Sequence, residues 1–362
     1  MADAWPGLRR FRAVEKAAEC DGVASFVLAP EDGRPLPPFR PGQYLTFSIQ
    51  RPGDERPLIR CYSFSDAPNR GTYRITVKRV AAPRGANVPP GAASTFLVDR
   101  VRVGDVLEAR APNGRFTLTP FATSPLVFLA GGIGITPLMS MLNGLIARGE
   151  ARDVWLFYGV RSGREHVFRE HLQRVARAHP RVRLQVAYSK PEPRDREGRD
   201  FQHRGRVTTE LVQRVLPPSE SEPYTFYVCG PSAMMRDLSE GLEGLGVPRS
   251  RVHVEAFGAA AVKPFTRRLT RRLSAKGGGT EVTFSRSGKR ATWDPRAQTL
   301  LDFAMANGVF IPFACATGHC GTCHTALVEG QVDYALDPQF PVRPGFCLPC
   351  VAVPRGPVTL EM

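Results

Sequence analysis

The sequence predicts a multi-domain protein in which an antiparallel β-barrel is followed by a doubly wound α/β domain and a small α+β domain. Residues 8–118 hold short alternating segments between Gly and Pro, residues 120–258 hold apolar strands separated by helical patterns, and residues 279–362 form a compact, cysteine-rich block. The basic stretch 259–278, which ends in glycines, is predicted to be a linker. With 362 residues, 42% of them hydrophobic, the chain has enough apolar material for a core in each domain.

The first block alternates apolar and polar residues. The clearest examples are Tyr44–Ile49, Tyr73–Lys78 and Asp105–Ala109. A period of two places successive side chains on opposite faces of a strand, and frequent turns join neighbouring strands in antiparallel order. The pattern predicts an antiparallel barrel, with a sandwich as the alternative.

The second block changes to strands that are apolar throughout. These are Leu126–Ala130, Val154–Tyr158 and Phe226–Cys229, and segments with helical periodicity lie between them. Continuous apolar strands are typical of a parallel sheet, because helices cover both of its faces. The block therefore predicts a doubly wound α/β domain.

The turn GGIGITP, Gly131–Pro137, follows the first of these strands. Glycine there lets the backbone approach a pyrophosphate closely, and the N-terminus of the next helix faces the anion. We expect Thr136 to cap that helix and Pro137 to occupy its first turn. The turn predicts a dinucleotide site, although its spacing is not G-x-G-x-x-G and a plain strand-to-helix turn is the alternative. The glycines concerned are Gly131, Gly132 and Gly134.

Charge and apolar runs argue against two classes of function. The net charge of +15 would suit nucleic acid, but the arginines are scattered and the basic run of the linker lacks aromatic residues for base stacking. We expect no nucleic-acid partner, and a solvated linker or a docking patch for an acidic partner instead.

The uncharged stretch Ser124–Ala147 is as long as a membrane span, but glycines and a proline interrupt it, so we expect no span. No secretory leader is recognisable, which favours a cytoplasmic protein with reduced cysteines. The basic run of the linker comprises Lys263, Arg267, Arg268, Arg271, Arg272 and Lys276.

Three of the eight cysteines lie within CATGHCGTC, residues 315–323. The spacing Cys315-x4-Cys320-x2-Cys323 with a distant fourth cysteine is that of plant-type [2Fe-2S] centres, where soft thiolates hold iron. A four-cysteine zinc site is the alternative. Its ligands would be Cys320, Cys323, Cys347 and Cys350.

Six motifs follow one another along residues 8–258: PGQY, RCYSF, PGAAST, GGIGITP, CGP and EAFG. Their order and separations resemble the ferredoxin-NADP reductase superfamily, and the run RCYSFSDAPNRGTYRITVKR most resembles the reductase portion of flavohaemoglobins, which bind FAD. The resemblance implies that Tyr62 lies against the flavin ring, Ser63 near its reactive nitrogen and Arg60 on a phosphate. It also implies flavin contacts for Tyr44, Ser94, Thr95 and Phe257.

The same resemblance implies a second group of residues around the nicotinamide. It places Thr136, Cys229 and Glu255 there, with Cys229 beside the carbon that gives up hydride, and Gly230 and Pro231 complete the CGP motif. Hydride transfer needs no general acid or base, so the protein orients the cofactors that react. Ser63, Cys229 and Glu255 are the expected catalytic residues.

The choice between NADH and NADPH depends on the residues after the second strand of the α/β domain. Arg161 and Ser162 could hold a 2'-phosphate there, and an acidic ribose reader is missing from that stretch. The segment GVRSGREHVF nevertheless resembles NADH-preferring reductases. We therefore favour NADH, with NADPH as the alternative.

The last block resembles a β-grasp ferredoxin. LPCVAVPRGPVTLE matches the final segment of that family, which implies Cys350 as the fourth iron ligand and Cys347 as a spare thiol. His319 and His324 are expected to be bystanders, because a Rieske centre requires a different spacing. The predicted elements are a hairpin (Glu281–Ser285, Ala291–Trp293), a helix (Ala297–Asn307, ended by Gly308) and strands at Thr325–Val328 and Pro357–Glu361.

Together these expectations assign FAD to residues 8–118, NAD(P) to residues 120–258 and a [2Fe-2S] cluster to residues 279–362. Nicotinamide delivers two electrons and the cluster accepts one, so the flavin must stand between them. The arrangement resembles the reductase component of phthalate- and vanillate-type oxygenase systems. Those reductases often carry FMN, but the flavohaemoglobin-like portion leads us to expect FAD, with a terminal oxygenase or another redox protein as partner. A self-contained reductase of a quinone, ferric chelate or nitric oxide is the alternative, and a redox sensor is a minor one.

Overall fold

The protein divides into two compact units, Met1–Glu255 and Ala256–Met362. The domain boundaries predicted within them, and the linker at 259–278, stay predictions, because the linker lies outside the described residues. The computed structural model describes residues 5–55, 57–69, 71–81, 91–119, 123–150, 152–218, 223–257, 279–294, 297, 299–309, 311, 313, 318, 321–335, 337–338 and 340–362.

The first unit begins with an antiparallel β-barrel, as the alternation predicts. Its strands are β1 (Arg9–Cys20), β2 (Val23–Pro30), β3 (Tyr44–Ile49), β4 (Leu58–Ser63), β5 (Tyr73–Lys78) and β6 (Val106–Ala109). The order is β4-β3-β6-β1-β2-β5, and an antiparallel bridge between Phe64 and Ile75 joins the two ends of the sheet. This bridge closes the sheet, which distinguishes the barrel from a sandwich. One helix, α1 (Ala92–Asp99), contacts β5.

The rest of the first unit is a doubly wound α/β domain, which confirms the prediction from its apolar strands. The strands are β7 (Leu126–Gly131), β8 (Val154–Val160), β9 (Val182–Tyr188), β10 (His203–Arg204), β11 (Thr225–Cys229) and β12 (Val252–Glu255). The helices are α2 (Ile135–Ala147), α3 (Arg169–Ala178), α4 (Thr209–Val215) and α5 (Ser232–Gly244).

The strand order of this parallel sheet locates its binding crevice. The order is β10-β9-β8-β7-β11-β12, so the chain runs outward from β7 on one side and returns to β11 on the other. Ligands of open α/β sheets bind at the carboxyl ends of the strands where the order reverses. That point lies between β7 and β11.

Hydrogen bonds join the barrel to the α/β domain within the first unit. Ser140 Oγ on α2 donates to the Asp66 carbonyl (2.7 Å), and Asn143 Nδ2 donates to Asp66 Oδ1 (2.8 Å). Lys78 on β5 pairs with Glu165 at 2.8 Å. Asp66 follows the motif RCYSF, so α2 is anchored directly to the segment after β4.

The second unit has the β-grasp arrangement that the resemblance implies. Its five-stranded sheet has the order β14-β13-β19-β15-β17, with β13 and β19 parallel and the other pairs antiparallel, and β16 pairs with β18 separately. The strands are β13 (Glu281–Phe284), β14 (Lys289–Thr292), β15 (Thr325–Glu329), β16 (Val332–Tyr334), β17 (Phe346–Cys347), β18 (Ala352–Pro354) and β19 (Val358–Leu360), with one described helix, α6 (Leu300–Ala306).

The start predicted for the helix of this unit is wrong by three residues. The helix begins at Leu300 rather than Ala297, because Thr299 is its N-cap and its hydroxyl accepts a hydrogen bond from the Asp302 amide (3.2 Å). Gly308 follows the helix with φ +67°, as a residue that ends a helix does. Within the described residues, every helix is too short or too polar to cross a bilayer.

Candidate functional site

The glycines of GGIGITP are required by close packing at the switch point. A Cβ on Gly134 would collide with the Cys229 carbonyl, and one on Gly131 would lie 2.7 Å from Pro231 Cδ. A Cβ on Gly230 would lie 3.0 Å from Gly131 Cα. The two motifs GGIGITP and CGP therefore pack backbone against backbone, with the N-terminus of α2 beside them. This arrangement fits a dinucleotide pyrophosphate.

The expected cap by Thr136 is wrong. A short 3-10 turn, Gly132–Gly134, follows β7, so α2 begins at Ile135 with Gly134 at the N-cap position. Thr136 is consequently inside the helix and buried, and its hydroxyl donates back to the Ile133 carbonyl (3.0 Å). Pro137 occupies the first turn, as predicted.

Cys229 and Glu255 lie side by side at the ends of β11 and β12. They are register partners in the parallel pair, and Cys229 also pairs with Ala130 at the end of β7. Cys229 is fully buried, and burial together with the Glu255 charge raises the pKa of its thiol well above the ordinary value. The raised pKa favours the protonated thiol, so Cys229 adds no charge of its own beside Glu255.

The flavin motif forms the end of β4. Tyr44 pairs with Ser63 and Phe47 with Arg60 across β3 and β4. Tyr62 packs edge-on against Phe47, with ring centroids 5.8 Å apart, and burial raises the pKa of its hydroxyl. Arg60 is exposed, and its Nη1 donates to the Ile59 carbonyl (2.7 Å). The structure thus gathers Tyr44, Arg60, Tyr62 and Ser63 on two adjacent strands.

The two hydroxyls of PGAAST differ in what they contact. Ser94 Oγ accepts from the Val80 amide (3.1 Å) and donates to the Gly91 carbonyl (3.0 Å). Thr95 Oγ1 is buried and finds no hydrogen-bond partner among the described residues. A buried hydroxyl without a partner is unfavourable, so Thr95 fits a position that a bound flavin completes. Pro90, the first residue of the motif, lies outside the described residues.

The loop after β8 is held by acidic residues that the sequence analysis missed. Buried Ser162 donates to Glu192 Oε1 (3.3 Å), and Arg164 Nε donates to Glu192 Oε2 (2.9 Å). The Arg161 side chain is 71% exposed, and its Nη1 lies 3.8 Å from Glu165 Oε1. Glu192 belongs to the loop after β9, one strand beyond the stretch in which a ribose reader was sought.

Phe257, for which a flavin contact was expected, follows β12 at the start of the second unit. Its side chain is 37% exposed. Gly258, the last residue of EAFG, lies outside the described residues. The position of Phe257 near flavin stays a prediction.

Two of the four predicted iron ligands are described, and both are buried. Cys323 is 3% exposed and Cys350 is 2% exposed, while Cys315, Cys320 and His319 lie outside the described residues. Within the described part of the chain, no three His, Cys, Asp or Glu side chains gather around a possible metal position, and no disulfide joins the described cysteines. Buried thiols suit iron or zinc equally. The ligand set therefore stays a prediction.

The residues expected to be bystanders lie beside those ligands. Cys347 is fully buried, pairs with Thr325 across β15 and β17, and has its pKa raised to about 12 by burial and by Cys323. The His324 ring stacks on Phe346, with centroids 4.5 Å apart. Neither observation assigns them to the cluster.

Three family models match the chain in succession. They are described as an oxidoreductase FAD-binding domain (residues 11–118), an oxidoreductase NAD-binding domain (residues 128–240) and a 2Fe-2S iron-sulfur cluster binding domain (residues 282–355). They coincide with the barrel, the α/β domain and the second unit.

Among curated proteins, the chain is similar to flavohemoproteins. That of Bacillus cereus is 39% identical over 257 residues, 71% of this chain and 62% of the relative. That of Rhizobium meliloti is 40% identical over 257 residues, with the same coverage. The chain thus spans 62% of the length of these relatives.

Among solved structures, phthalate dioxygenase reductase matches 98% of this chain and 98% of its own, with a TM-score of 0.59 and 26% identity. The FAD/NAD-binding domain of a nitric oxide dioxygenase from Vibrio cholerae matches 69% of this chain and 98% of its own, with a TM-score of 0.60 and 33% identity. The first resembles the whole chain, and the second resembles its first unit.

Proposed function

The chain belongs to the ferredoxin-NADP reductase superfamily of flavoproteins, extended by a C-terminal [2Fe-2S] ferredoxin domain, and from this premise we propose that it is the reductase component of an oxygenase system. It is an oxidoreductase of the ferredoxin reductase type, with FAD, a nicotinamide dinucleotide and a [2Fe-2S] cluster as cofactors. The proposal adds the direction and destination of the electrons: from NADH through FAD and the cluster to a separate terminal oxygenase.

FAD, when bound, supplies the conversion of a two-electron hydride donor into a source of single electrons. The residues of the chain bind the flavin and the dinucleotide and orient them toward each other. We assign the pyrophosphate of the dinucleotide to the N-terminus of α2 and its nicotinamide to the wall formed by Thr136, Cys229 and Glu255. Because the Cys229 thiol stays protonated, it adds no charge beside the reacting carbon.

For the flavin, we assign the ring to Tyr62 and Ser63, a phosphate to Arg60 and a hydrogen bond to Thr95. Tyr62 presents a protonated hydroxyl on a half-buried ring, and Arg60 presents an exposed guanidinium suited to phosphate. The Thr95 hydroxyl, which has no hydrogen-bond partner within the described part of the chain, supports a ligand at the start of α1. Ser94 then acts as a structural residue that holds the turn before the helix.

One observation carries the proposal: similarity to phthalate dioxygenase reductase, described as transferring electrons from pyridine nucleotides to [2Fe-2S], extends over 98% of both chains. The test is an anaerobic titration with NADH, followed by visible spectroscopy for flavin and electron-spin spectroscopy for the cluster. Cys320→Ser should abolish the cluster signal and leave flavin reduction intact, whereas the matched Cys347→Ala should keep both. A colourless protein, or one containing zinc without inorganic sulfide, would overturn the proposal.

A second candidate is a self-contained reductase of a small acceptor. Its support is the 39% identity of the first unit to flavohemoproteins and the similarity to the FAD/NAD-binding domain of a nitric oxide dioxygenase. Rapid NADH-dependent turnover of a quinone, ferric chelate or nitric oxide that persists in Cys320→Ser would favour it. Turnover that requires both the cluster and an added oxygenase would favour the reductase component.

A further inference from the structure

We propose that Glu192 selects the coenzyme, by occupying the groups that would bind a 2'-phosphate and by presenting its carboxylate to the adenosine ribose instead. The protein then uses NADH in preference to NADPH. This inference rests on the proposed function, since it concerns the same dinucleotide site. Glu192 lies outside all six motifs of the resemblance, and its role follows from its contacts.

The position of Glu192 follows from the register of the sheet. Gly131 at the end of β7 is level with Gly159 on β8, and Val160 at the end of β8 is level with Tyr188 at the end of β9. Loops after these three strands therefore emerge at one edge. A dinucleotide with its pyrophosphate at the turn after β7 extends its adenosine half across the loops after β8 and β9.

Glu192 holds the polar groups of the β8 loop. One carboxylate oxygen accepts from Ser162 and the other from Arg164. Arg194 Nε lies 3.4 Å from Glu192 Oε2. The Glu192 side chain is still 31% exposed, so a ribose can reach it. A carboxylate accepts readily from a ribose 2'-hydroxyl, the usual basis of NAD recognition.

Asp195 fixes the loop that carries Glu192. Its Oδ2 accepts from the Glu192 amide (2.8 Å) and from the Gly163 amide (3.2 Å). A Cβ on Gly163 would lie 2.5 Å from Asp195 Oδ1, so the two loops touch at this glycine. Glu192 is therefore positioned by backbone contacts that a change of its own side chain leaves in place.

Direct repulsion from the Glu192 carboxylate is the expected reason that NADPH binds less well than NADH. A 2'-phosphate carries close to two negative charges, about −1.5 to −2 at neutral pH, and repels a neighbouring carboxylate. Arg164 is 54% exposed and would serve as a phosphate ligand, but it is already paired with Glu192. Removing the Glu192 charge frees Arg164 to bind the 2'-phosphate, and exposed Arg161 lies in the same loop.

The test compares Glu192→Gln with the wild-type holoprotein, using ferricyanide as a one-electron acceptor so that no oxygenase is needed. We expect kcat/KM with NADPH to rise about 10- to 100-fold and that with NADH to fall several-fold, which reverses or removes the preference. Adding Arg164→Gln to Glu192→Gln should cancel the gain for NADPH. Glu197→Gln is the matched control, because Glu197 is an exposed glutamate of the same loop that pairs with Arg204.

Calorimetric binding of adenosine 2',5'-bisphosphate and of 5'-AMP gives a readout independent of turnover. Glu192→Gln should tighten only the bisphosphate. If NADH still reduces the flavin but the NADPH to NADH ratio and the bisphosphate affinity stay as in the wild type, or if the wild type already prefers NADPH, the role of Glu192 is wrong while the proposed function stands. If neither coenzyme reduces the flavin, both are wrong.

Discussion

The two ends of the proposed dinucleotide site are built in different ways. At the pyrophosphate end, uncharged backbone segments touch: Gly134 lies against Cys229, and Gly131 against Gly230. At the adenosine end, charged side chains meet on loops, with Arg164 and Glu192 partly exposed. We expect the first end to decide whether any dinucleotide binds, and the second to decide which one.

The difference follows from how much each kind of contact contributes. An added methyl in a close-packed interior costs about 1–3 kcal/mol or more, because neighbouring backbone must move. An exposed ion pair contributes about 0–1 kcal/mol, and salt screens it. Substitutions at the pyrophosphate end should therefore cause large losses of function. Substitutions at the adenosine end should cause smaller changes that depend on the side chain introduced.

The largest effect is expected from Gly134→Ala. The new Cβ meets the Cys229 carbonyl, so β7 and β11 must separate and the pyrophosphate turn is distorted. NADH-dependent flavin reduction should fall at least ~100-fold, while dithionite still reduces the bound flavin. Gly244→Ala is the control, because the same methyl at the end of α5 meets no described atom within 4 Å. Equal rates in both variants would contradict the packing argument.

The next effect concerns pH and His166, a buried residue in the loop after β8. Burial lowers its pKa from 6.5 to about 3; Arg169 adds to the effect, and Asp200 and Asp195 oppose it. Between these two values the unfolded state binds more protons, so the free energy of unfolding should decrease as pH falls from about 6.5, by at most ~1.4 kcal/mol per pH unit. Urea titrations from pH 7.5 to pH 4.5 measure this slope.

His166→Gln is the comparison for that slope, because it removes the titrating group. Its own stability at pH 7.5 should be lower, since the contact of His166 Nδ1 with the Tyr188 hydroxyl (2.8 Å) changes. Its loss of stability on acidification should be smaller than that of the wild type. Identical slopes in the two proteins would show that other groups dominate acid unfolding.

A smaller effect is expected at Asp66, which anchors α2 to the segment after β4. Asp66→Ala removes the acceptor of Asn143, so the nicotinamide is aimed less accurately at the flavin, and the maximal rate of flavin reduction should fall about tenfold with little change in KM. Asp66→Asn keeps an oxygen acceptor and should retain most of the rate. A change in KM alone would assign Asp66 to binding. Stopped-flow reduction by NADH separates the two.

The smallest effect is expected at the ion pair of Lys78 and Glu165, which are 35% and 28% exposed. Lys78→Met should cost less than ~1 kcal/mol of unfolding free energy, and high salt should reduce the difference. Arg79→Met breaks an exposed pair with Asp99, which belongs to α1 of the same domain, and is the control for simple loss of charge. A cost above ~2 kcal/mol for Lys78→Met alone would show that this pair holds the two domains together.

Local patterns predicted the elements of the fold well. β3 and β5 begin and end where alternation places them, at Tyr44–Ile49 and Tyr73–Lys78, because a period of two is a strong signal along one strand. The starts of two helices were missed for a local reason: a 3-10 turn precedes α2, and Thr299 caps α6. Helix ends depend on one or two hydrogen bonds, which composition does not reveal.

The site was harder to predict where it depends on pairing between distant segments. Glu192 is 30 residues from Ser162 in the chain, and only the pairing of β8 with β9 brings it there. The different contacts of Ser94 and Thr95 depend on which hydroxyl meets the Val80 amide, and the motif PGAAST does not show this. Cys315 and Cys320 lie outside the described residues, so the cluster ligands remain predictions.

The bridge between Phe64 and Ile75 gives the flavin motif a second task. The same short run to which we assign the isoalloxazine also closes the barrel, one residue beyond Ser63. A ligand that binds to this run only in the closed barrel stabilises the closed barrel relative to the opened one, by mass action. Stripping the prosthetic group should therefore lower the melting temperature of the first unit, and on heating, release of yellow colour and loss of β-structure should coincide.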